Sequence, residues 1–469
     1  MSGILRPARR AAWALLLAAL VSCRAGVIEP DRVARYEAPA RFPLDEFQDA
    51  RPAVGTGKFM AGAAVVDVSP TNYRVWISGF GAGRISTGVR DPIFARALFL
   101  DDGKSSIVLV SLDLTGLLKP DIDRIRALVS ERFRDRVLVA STHNHQAPDT
   151  IGYWGWGPAI PLENGVVPEY QNELLHKTAQ CIDRAIAAAV PARLRIGAAT
   201  MPEGWSINLW FPADPKMKDN EVGVLRAEDL AGKPIATLVN WPCHAEAQLG
   251  KGNKISAEFP GQFYKAVERA GGGTGIFFQG ALGGMVTAKI DQWDLQSKYD
   301  LKARLAFNEE LGRVLAAKAD EVVRGGPSFG FGGIRFRLLT KEVAIPVEGA
   351  IFKLAGAAGI MRDADRVKPD ELLLRTDVSV LDLGPATIAT IPGEAFPAIG
   401  FAVKNRMTAP YRFVFNLTGD EVGYLMTPEQ YRDETYKYER SVCLGPRAGA
   451  IVQGAVFDLL DQIQGSGRP

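Results

Sequence analysis

Short apolar runs of strand length alternate with amphipathic helical stretches from about Phe59 to the end of the chain. Runs such as "ALFLDD" (97–102) and "SSIVLVSLD" (105–113) precede a stretch, "PDIDRIRALVSERF" (120–133), whose apolar residues recur at helical spacing. The same spacing predicts helices at 168–190, 302–323 and 448–463. This alternation is typical of α/β proteins, so we expect sheets whose faces are covered by helices. The glycine-rich and charged region 326–370 is a candidate excursion or lid.

Composition excludes several classes of protein. The 469 residues include enough apolar side chains for a full core, and the net charge is only +2. No basic stripe is present of the kind that a phosphate backbone requires, so nucleic acid is not an expected partner. After Cys23 the remaining cysteines are Cys181, Cys243 and Cys443, too few for a disulfide scaffold and without zinc-finger spacing. We expect them to be buried as small apolar residues.

The first 23 residues have the pattern of an export signal. Arg6, Arg9 and Arg10 precede an apolar run at 11–21 that is too short to span a bilayer as a mature helix. The run ends in Leu-Val-Ser-Cys, which is similar to the cleavage box of bacterial lipoproteins and would make Cys23 the lipidated first residue. An ordinary cleaved signal with an incidental cysteine is the alternative. We therefore expect an exported protein of the bacterial cell envelope, in the periplasm or the outer membrane, anchored through Cys23, with residues 24–58 as a linker.

Four apolar, strand-like runs end near side chains that bind metals or transfer protons. "VLVAST" leads to His143 and His145, "IATLVNWPC" to His244, "ATIATIPG" to Glu394, and "RFVFNLTGDEVG" to Tyr424. In open α/β sheets, ligands bind beyond the carboxyl ends of strands, so these groups are expected at one rim. If the backbone at 143–145 is extended, both rings project to the same side.

These residue types suit a catalytic zinc. Two imidazoles (His143 and His244) and a carboxylate (Glu394) form an N/O ligand set that leaves a position open for water, and a phenol (Tyr424) can complete it. His145 is then free to transfer a proton to a leaving group. The alternatives without a metal site are that the His pair has a structural role, that Glu394 caps a secondary-structure element, and that Tyr424 is an aromatic residue of the core.

The remaining histidine is interpreted differently. The chain has four histidines, and three of them follow strand-like runs. The fourth, His176, falls within a predicted helix and is expected to be a solvated or packing residue. His145 is followed by Gln146 and Ala147, so the HxHxDH pattern of metallo-β-lactamases is not met.

Several motifs together resemble the neutral/alkaline, non-lysosomal ceramidase family over nearly all of the chain beyond residue 58. The motifs are "AGAAVVDVSP" (61–70), "VSLDLTG" (110–116), "STHNHQAPDTIGYWG" (141–155), "NWPCHAE" (240–246), "IPGEAF" (391–396) and "GYLMTPEQY" (423–431). The resemblance implies a layered α/β sandwich with central β-sheets flanked by α-helices, as a single large catalytic domain over residues 59–465.

The resemblance also implies an activity. It places one Zn²⁺ per chain on His143, His244, Glu394 and Tyr424, with His145 beside it as the proton-transfer group. His143 and Tyr424 then belong to both the metal site and the catalytic site. The implied reaction is hydrolysis of the amide of an N-acyl sphingoid lipid by metal-activated water. The substrate is expected to be this or another lipid or small-molecule amide; the oligomeric state is open.

Two departures from the family pattern concern the substrate. The Gln-Ser-Asn-x-Gly-Asp stretch of the family is "QGALGG" here, so Gly280 replaces a serine to which a catalytic role has been assigned. Leu209 replaces an arginine that can contact the substrate. A zinc hydrolase of other specificity, an esterase or a cell-envelope amidase, is therefore one alternative. A lipoprotein that uses the fold only as a binding module is another.

Overall fold

The computed structural model describes residues 58–155, 164–289, 300–350, 352–353 and 372–465. The predicted signal peptide and nearly all of the predicted linker lie outside the described residues. The strands are β1 Met60–Asp67, β2 Phe94–Asp101, β3 Ser106–Leu112, β4 Val137–Ser141, β5 Val190–Thr200, β6 Ser206–Asn208, β7 Glu221–Asp229, β8 Pro234–Trp241, β9 Thr274–Gln279, β10 Val286–Ala288, β11 Ser328–Phe329, β12 Arg337–Pro346, β13 Leu373–Asp382, β14 Ala386–Thr390, β15 Glu394–Ala395, β16 Tyr411–Phe415 and β17 Tyr424–Leu425. The α-helices are α1 Lys119–Leu128, α2 Pro168–Ala187, α3 Glu258–Arg269, α4 Leu301–Arg324, α5 Pro397–Arg406, α6 Pro428–Arg432, α7 Lys437–Ser441 and α8 Ala448–Gly465.

A nine-stranded mixed sheet forms the centre of the fold. Its order is β4-β3-β2-β1-β5-β7-β8-β9, and β11 pairs with β5. The β3–β4 and β8–β9 pairs are parallel, and the other pairs are antiparallel. The parallel pairs require crossover connections, and these contain α1 and α3 respectively.

A second, four-stranded sheet has the order β12-β13-β14-β16, in which β14 and β16 are parallel. Two small two-stranded sheets, β6–β10 and β15–β17, lie outside both large sheets. Strand β12 falls inside the region 326–370, so the expectation of a lid over that whole region is wrong. Because β12 is ten residues long and paired along its full length with β13, it belongs to the sandwich.

The two large sheets pack face to face between layers of helices. Alternate residues of β2 point to opposite faces: Ala97 and Phe99 join the core under α1 and α2, whereas Leu98 and Leu100 pack toward the second sheet. The second sheet is covered on its other face by α5 and α8, and α3 and α4 cover β7 to β9. The layered α/β sandwich expected from the sequence is confirmed.

The helix predictions are confirmed with shifted ends. The stretch 120–133 is not one helix, because α1 ends at Leu128 and a 3₁₀ helix, Glu131–Arg136, follows. Leu128 is 44% exposed, so it does not join the buried face with Ile122 and Ile125. The three cysteines after Cys23 are free and buried, as expected. Among the described residues, no helix combines the length and the apolar character needed to cross a bilayer.

Candidate active site

The loop after β4 carries the first two histidines. His143 is buried and has a φ of +58°, in the left-handed region that non-glycine residues seldom adopt. The expectation of extended backbone through 143–145 is therefore wrong, because β4 ends at Ser141. The rings nevertheless lie together, with centroids 4.7 Å apart. Backbone strain of this kind is typical of functional sites, where the surrounding structure holds it in place.

The loop after β8 brings the third histidine to the same place. The His244 ring lies 4.9 Å from the His143 ring and 5.5 Å from the His145 ring. The two loops are joined directly, since the backbone amide of His145 donates to the carbonyl of Ala245 at 3.0 Å. His143, His145 and His244 form the described group of side chains whose ligand atoms lie within 4.8 Å of one another.

The side chain of Gln279, at the end of β9, forms hydrogen bonds to both histidine loops. Its Nε2 donates to the carbonyl of Thr142 at 2.8 Å and to the carbonyl of Cys243 at 2.6 Å. Its Oε1 accepts from the amide of Cys243 at 3.1 Å. Thr142 and Cys243 are the residues immediately before His143 and His244. The fully buried Gln279 therefore sets the spacing of these two histidines, a role that could not be assigned from the sequence.

Glu394 and Tyr424 enter the site from the second sheet. They follow β14 and β16 and lie opposite each other in the parallel β15–β17 pair. Oε2 of Glu394 is 3.2 Å from Nε2 of His143 and 3.3 Å from Nε2 of His244. Tyr424 is buried and lines the same cavity as Glu394, His143 and His145. The structure thus brings all five predicted site residues together, and His176 lies apart on α2, with Nδ1 facing the carbonyl of Asn172.

The protonation of the rings follows from their neighbours. Nδ1 of His143 is 2.8 Å from the carbonyl oxygen of Thr115, and Nδ1 of His244 is 2.8 Å from that of Val286. A carbonyl oxygen only accepts, so each Nδ1 carries a proton, and each ring turns its Nε2 toward Oε2 of Glu394. Metal-binding histidines in proteins are held in this way by a partner on the other ring nitrogen.

Three buried atoms of the cluster lack a hydrogen-bond partner. They are Nε2 of His244 and Oε2 of Glu394, whose mutual contact does not have hydrogen-bond geometry, and Nδ1 of His145. Buried polar atoms are rarely left unpaired, because desolvation without a partner is costly. Imidazole nitrogens beside a carboxylate are the donors that zinc prefers, so the residues fit a metal ion.

Glu246 is a further member of the site that sequence reasoning missed. Its Oε2 lies 3.0 Å from Nδ1 of His145, and both side chains are buried. Burial alone would raise the pKa of Glu246, but the His145 and His244 rings together outweigh it and lower the pKa to about 2. Burial lowers the pKa of His145, although Glu246 opposes this. The carboxylate follows His244 by two residues in "CHAE", which is the only signal in the sequence that could have indicated it.

The carboxylate of Glu394 is held in its ionised form. Burial opposes ionisation, yet the rings of His143 and then His244 keep its pKa well below the usual range. Burial raises the pKa of the Tyr424 phenol, and the negative charge of Glu394 adds to the effect.

The cluster forms one side of a cavity of about 110 Å³. Much of its wall is aromatic, with contributions from Phe80, Tyr153, Trp154, Phe352 and Tyr438. The Phe80 ring meets the His145 ring edge to face at 5.6 Å. Trp154, which follows the His pair in the chain, lines the cavity, whereas Trp156 lies outside the described residues. An apolar, aromatic wall beside a few polar groups is typical of a small-molecule site.

The two positions that depart from the family pattern, Gly280 and Leu209, have short-range contacts of their own. Gly280 directly follows β9, where a Cβ atom would be 2.9 Å from the nitrogen of Pro242. Leu209 directly follows β6, and its amide donates to the carbonyl of Met285 at 3.1 Å. Neither is among the described residues that line the cavity.

No protein-family model matches the chain, and no curated protein matches it. Solved structures do. The crystal structure of neutral ceramidase from Pseudomonas aeruginosa is similar with a TM-score of 0.70 and 17% identity, covering 87% of this chain and 75% of that one. A structure described as ceramidase complexed with C2 has a TM-score of 0.68 and 17% identity, covering 87% and 76%. At this identity the comparison shows that the chain shares the fold of neutral ceramidases.

Proposed function

We propose that this protein is a zinc-dependent hydrolase that cleaves the amide of an N-acyl sphingoid lipid or a related lipid amide. The observation that carries the proposal is the group of three buried imidazoles beside Glu394. Nδ1 of His143 and Nδ1 of His244 each lie 2.8 Å from a carbonyl oxygen, and Nδ1 of His145 lies 3.0 Å from a carboxylate oxygen. This arrangement leaves Nε2 of each ring as the atom available to a metal ion or a proton.

His143, His244, Glu394 and Tyr424 would hold the ion. The Glu394 carboxylate lies against the rings of His143 and His244, and Tyr424 is paired with Glu394 across strands β15 and β17. Zinc in such a site supplies a Lewis acid that polarises a carbonyl group and lowers the pKa of water. His145 lies against Glu246 instead, and we assign it the proton transfer to the leaving amine.

In this mechanism Glu246 orients the His145 ring and holds the proton on Nδ1, which leaves Nε2 unprotonated at the start of the reaction. His145 accepts a proton at Nε2 from the water whose oxygen bonds to the carbonyl carbon. It passes that proton to the amide nitrogen as the C–N bond breaks, so that a neutral amine and a carboxylic acid leave. Burial raises the pKa of the Tyr424 phenol, so this side chain would hold the ion from a protonated starting state.

The fold supports the lipid amide as the substrate. Both similar structures are described as ceramidases, and the cavity wall is rich in aromatic side chains that can contact an apolar chain. Gly280 and Leu209 favour a second candidate, a zinc hydrolase of the same fold that cleaves esters or amides of the cell envelope. Lipid attachment at Cys23 and export to the bacterial cell envelope are part of the proposal, and they rest on the first 23 residues.

The experiment uses the chain from residue 24, which lacks the predicted signal peptide and the cysteine that would carry the lipid. Zinc content is measured by elemental analysis, and a fluorescent ceramide, a simple ester and a short-chain amide are assayed beside it. We expect about one zinc per chain and ceramide turnover, and loss of both in His143→Ala. His176→Ala is the matched control, because it removes the same side chain outside the cluster.

The other outcomes identify the alternatives. Zinc with turnover of only the ester or the short amide supports the second candidate. If the protein contains no zinc and cleaves none of the three substrates, the binding module is the remaining alternative. His145→Ala tests the assigned roles separately: it should retain zinc and lose at least about 100-fold in kcat, whereas loss of zinc would make this ring a ligand.

A further inference from the structure

The side chains of Arg84 and Gln146 form a pair beside the backbone of His145, and the mechanism above gives them no role. Nη2 of Arg84 donates to Oε1 of Gln146 at 2.6 Å, and Gln146 is fully buried. Nη1 of Arg84 donates to the carbonyl of His145 at 3.4 Å and to that of Ser78 at 3.3 Å. Burial lowers the pKa of Arg84 to about 10, so its guanidinium group is charged at neutral pH. Hydrogen bonds from a charged donor are stronger than neutral ones, so this pair can hold its neighbours firmly.

This pair connects three loops of the site. The loops comprise residues 77–86, 142–149 and 246–256. Arg84 belongs to the first loop and Gln146 to the second. Nε2 of Gln146 donates to two carbonyls of the third loop, those of Gly252 at 3.0 Å and Lys254 at 2.9 Å. Nη2 of Arg84 also donates to the carbonyl of Gly252, at 3.3 Å, so the three loops are joined at one point.

The surroundings of the His145 ring come from the same three loops. The ring itself belongs to the second loop. Phe80 of the first loop meets it edge to face at 5.6 Å, and Oε2 of Glu246 in the third loop lies 3.0 Å from its Nδ1. The first and third loops also touch each other, because a Cβ atom on Gly250 would lie 2.9 Å from Cδ2 of Phe80. The place of the His145 ring therefore depends on how the three loops are held relative to one another.

The side chains that would hold the ion have other supports. Nδ1 of His143 faces the carbonyl of Thr115, and Nδ1 of His244 faces that of Val286. The backbone before each of these two rings is bonded to Gln279. Arg84 and Gln146 form none of these contacts, so a change in the pair should displace the His145 ring and leave the metal ligands in place.

We propose that Arg84 and Gln146 are positioning residues for the proton transfer, which together fix the ring of His145 against Glu246 and Phe80. The inference rests on the proposed function and adds to it the residues that keep the proton-transfer group separate from the metal ligands. Arg84 and Gln146 touch neither the substrate nor the reacting atoms and act only through His145. Without the pair, the ring is no longer held within reach of both the water and the amide nitrogen, and a displacement of about 1 Å can cost about 100-fold in rate.

The test compares two leaving groups in the zinc-loaded variants Arg84→Met and Gln146→Met. The probes are the fluorescent ceramide, whose amine needs a proton to leave, and p-nitrophenyl octanoate, whose nitrophenolate leaves without one. In each variant kcat for ceramide should fall about 10- to 100-fold, with KM within about threefold of the wild type. The ratio of kcat for ceramide to kcat for the ester should fall at least about fivefold, because only the amide needs the proton transfer to its leaving group. Zinc affinity should stay within about twofold of the wild type.

The chain offers a matched control, a second arginine–glutamine pair at the third loop. Nη1 of Arg90 donates to Oε1 of Gln248 at 2.7 Å, and among the described residues neither side chain bonds to loop 142–149. Arg90→Met should therefore keep kcat for both probes within about twofold of the wild type. Arg84→Lys, which keeps the charge and one donor, should recover part of the loss and serves in place of Arg84→Met if that variant does not fold. Equal losses for both probes, loss of zinc, or the same losses in Arg90→Met would overturn the proposal.

Crystal structures of the variants distinguish failure of this proposal from failure of the proposed function, since they require no turnover. In Arg84→Met and Gln146→Met the contact between His145 and Glu246 should lengthen, whereas the contacts of Glu394 with His143 and His244 should be kept. A displaced His145 ring beside unmoved ligands supports the positioning role even if no amide is cleaved. A His145 ring that keeps its place in both variants contradicts it, whatever the enzyme hydrolyses.

Discussion

Replacement of Gln279 by leucine tests whether one buried amide sets the spacing of the metal site. The substitution keeps the approximate size of the side chain and removes its three hydrogen bonds to Thr142 and Cys243. Two backbone carbonyl groups and one backbone amide would then be buried without these partners. The two histidine loops would remain connected through the His145–Ala245 hydrogen bond.

The magnitude follows from the groups left unpaired. Each unpaired backbone group costs about 1 to 3 kcal/mol. Leucine offsets part of this cost, because its side chain has no amide group that must be buried. We therefore expect the free energy of unfolding to fall by roughly 3 to 6 kcal/mol. An unfolding entropy of about 2.1 cal/mol/K per residue gives roughly 1 kcal/mol per kelvin for a chain of this length, so Tm should fall by roughly 3 to 6 °C. Zinc affinity should fall about 10- to 100-fold, because Gln279 holds the backbone next to two ligands.

The assay combines thermal unfolding of the metal-free protein with zinc titration against a competing chelator. Gln171→Leu is the matched control: Gln171 is also buried, but it lies on α2, where its Nε2 donates to Oδ2 of Asp121 at 2.9 Å. The control should lose stability and keep its zinc affinity. A Gln279→Leu protein whose zinc affinity stays within about twofold of the wild type would refute the reasoning.

Three further predictions concern other parts of the structure. Gly280→Ser should destabilise the protein by about 1 to 3 kcal/mol in denaturant titrations without raising ceramide turnover, because the added atoms meet Pro242 at 2.9 Å; a stable, more active variant would contradict this. Burial raises the pKa of Glu258 to about 7, so the folded protein retains a proton that the unfolded chain has lost. The free energy of unfolding should therefore fall by up to about 3 kcal/mol as pH rises from about 4.5 to about 7, and Glu258→Gln should flatten that slope; an identical slope in the variant would count against the assignment. Gly79 has a φ of +76°, and a Cβ atom added to it would lie 2.5 Å from Cβ of His145. Gly79→Ala should therefore displace the His145 ring and lower kcat at least about 10-fold, with zinc content unchanged. A fully active variant would show that the His145 ring tolerates displacement.

The architecture was largely predictable from local pattern. Strand-length apolar runs and helical spacing are properties of short segments, so β2, β3 and the long helices α2, α4 and α8 are found where the sequence predicts them. The candidate ligands were predictable for a related reason. Ligands bind beyond the carboxyl ends of strands, and a histidine or glutamate that directly follows an apolar run is visible in the sequence.

The conformation of the first histidine was not predictable in this way. The apolar run "VLVAST" suggested that extended backbone continues through His143, whereas the chain turns into the left-handed region after β4 ends. The contacts that hold this turn come from Thr115 and from Gln279, 28 and 136 residues away in the chain respectively. Local propensity contains no information about such partners.

The sequence by itself determined the strands, the helices and the residue types that can bind zinc, because these depend on side-chain chemistry and on short-range spacing. Only the tertiary structure decided that loops from two different sheets meet, that Gln279 joins the two histidine loops, and that Glu246 is buried beside them. The physical reason is that burial and hydrogen-bond pairing depend on which distant segments pack together. The order of the strands in the sheets decides this packing, and that order is a property of the whole fold.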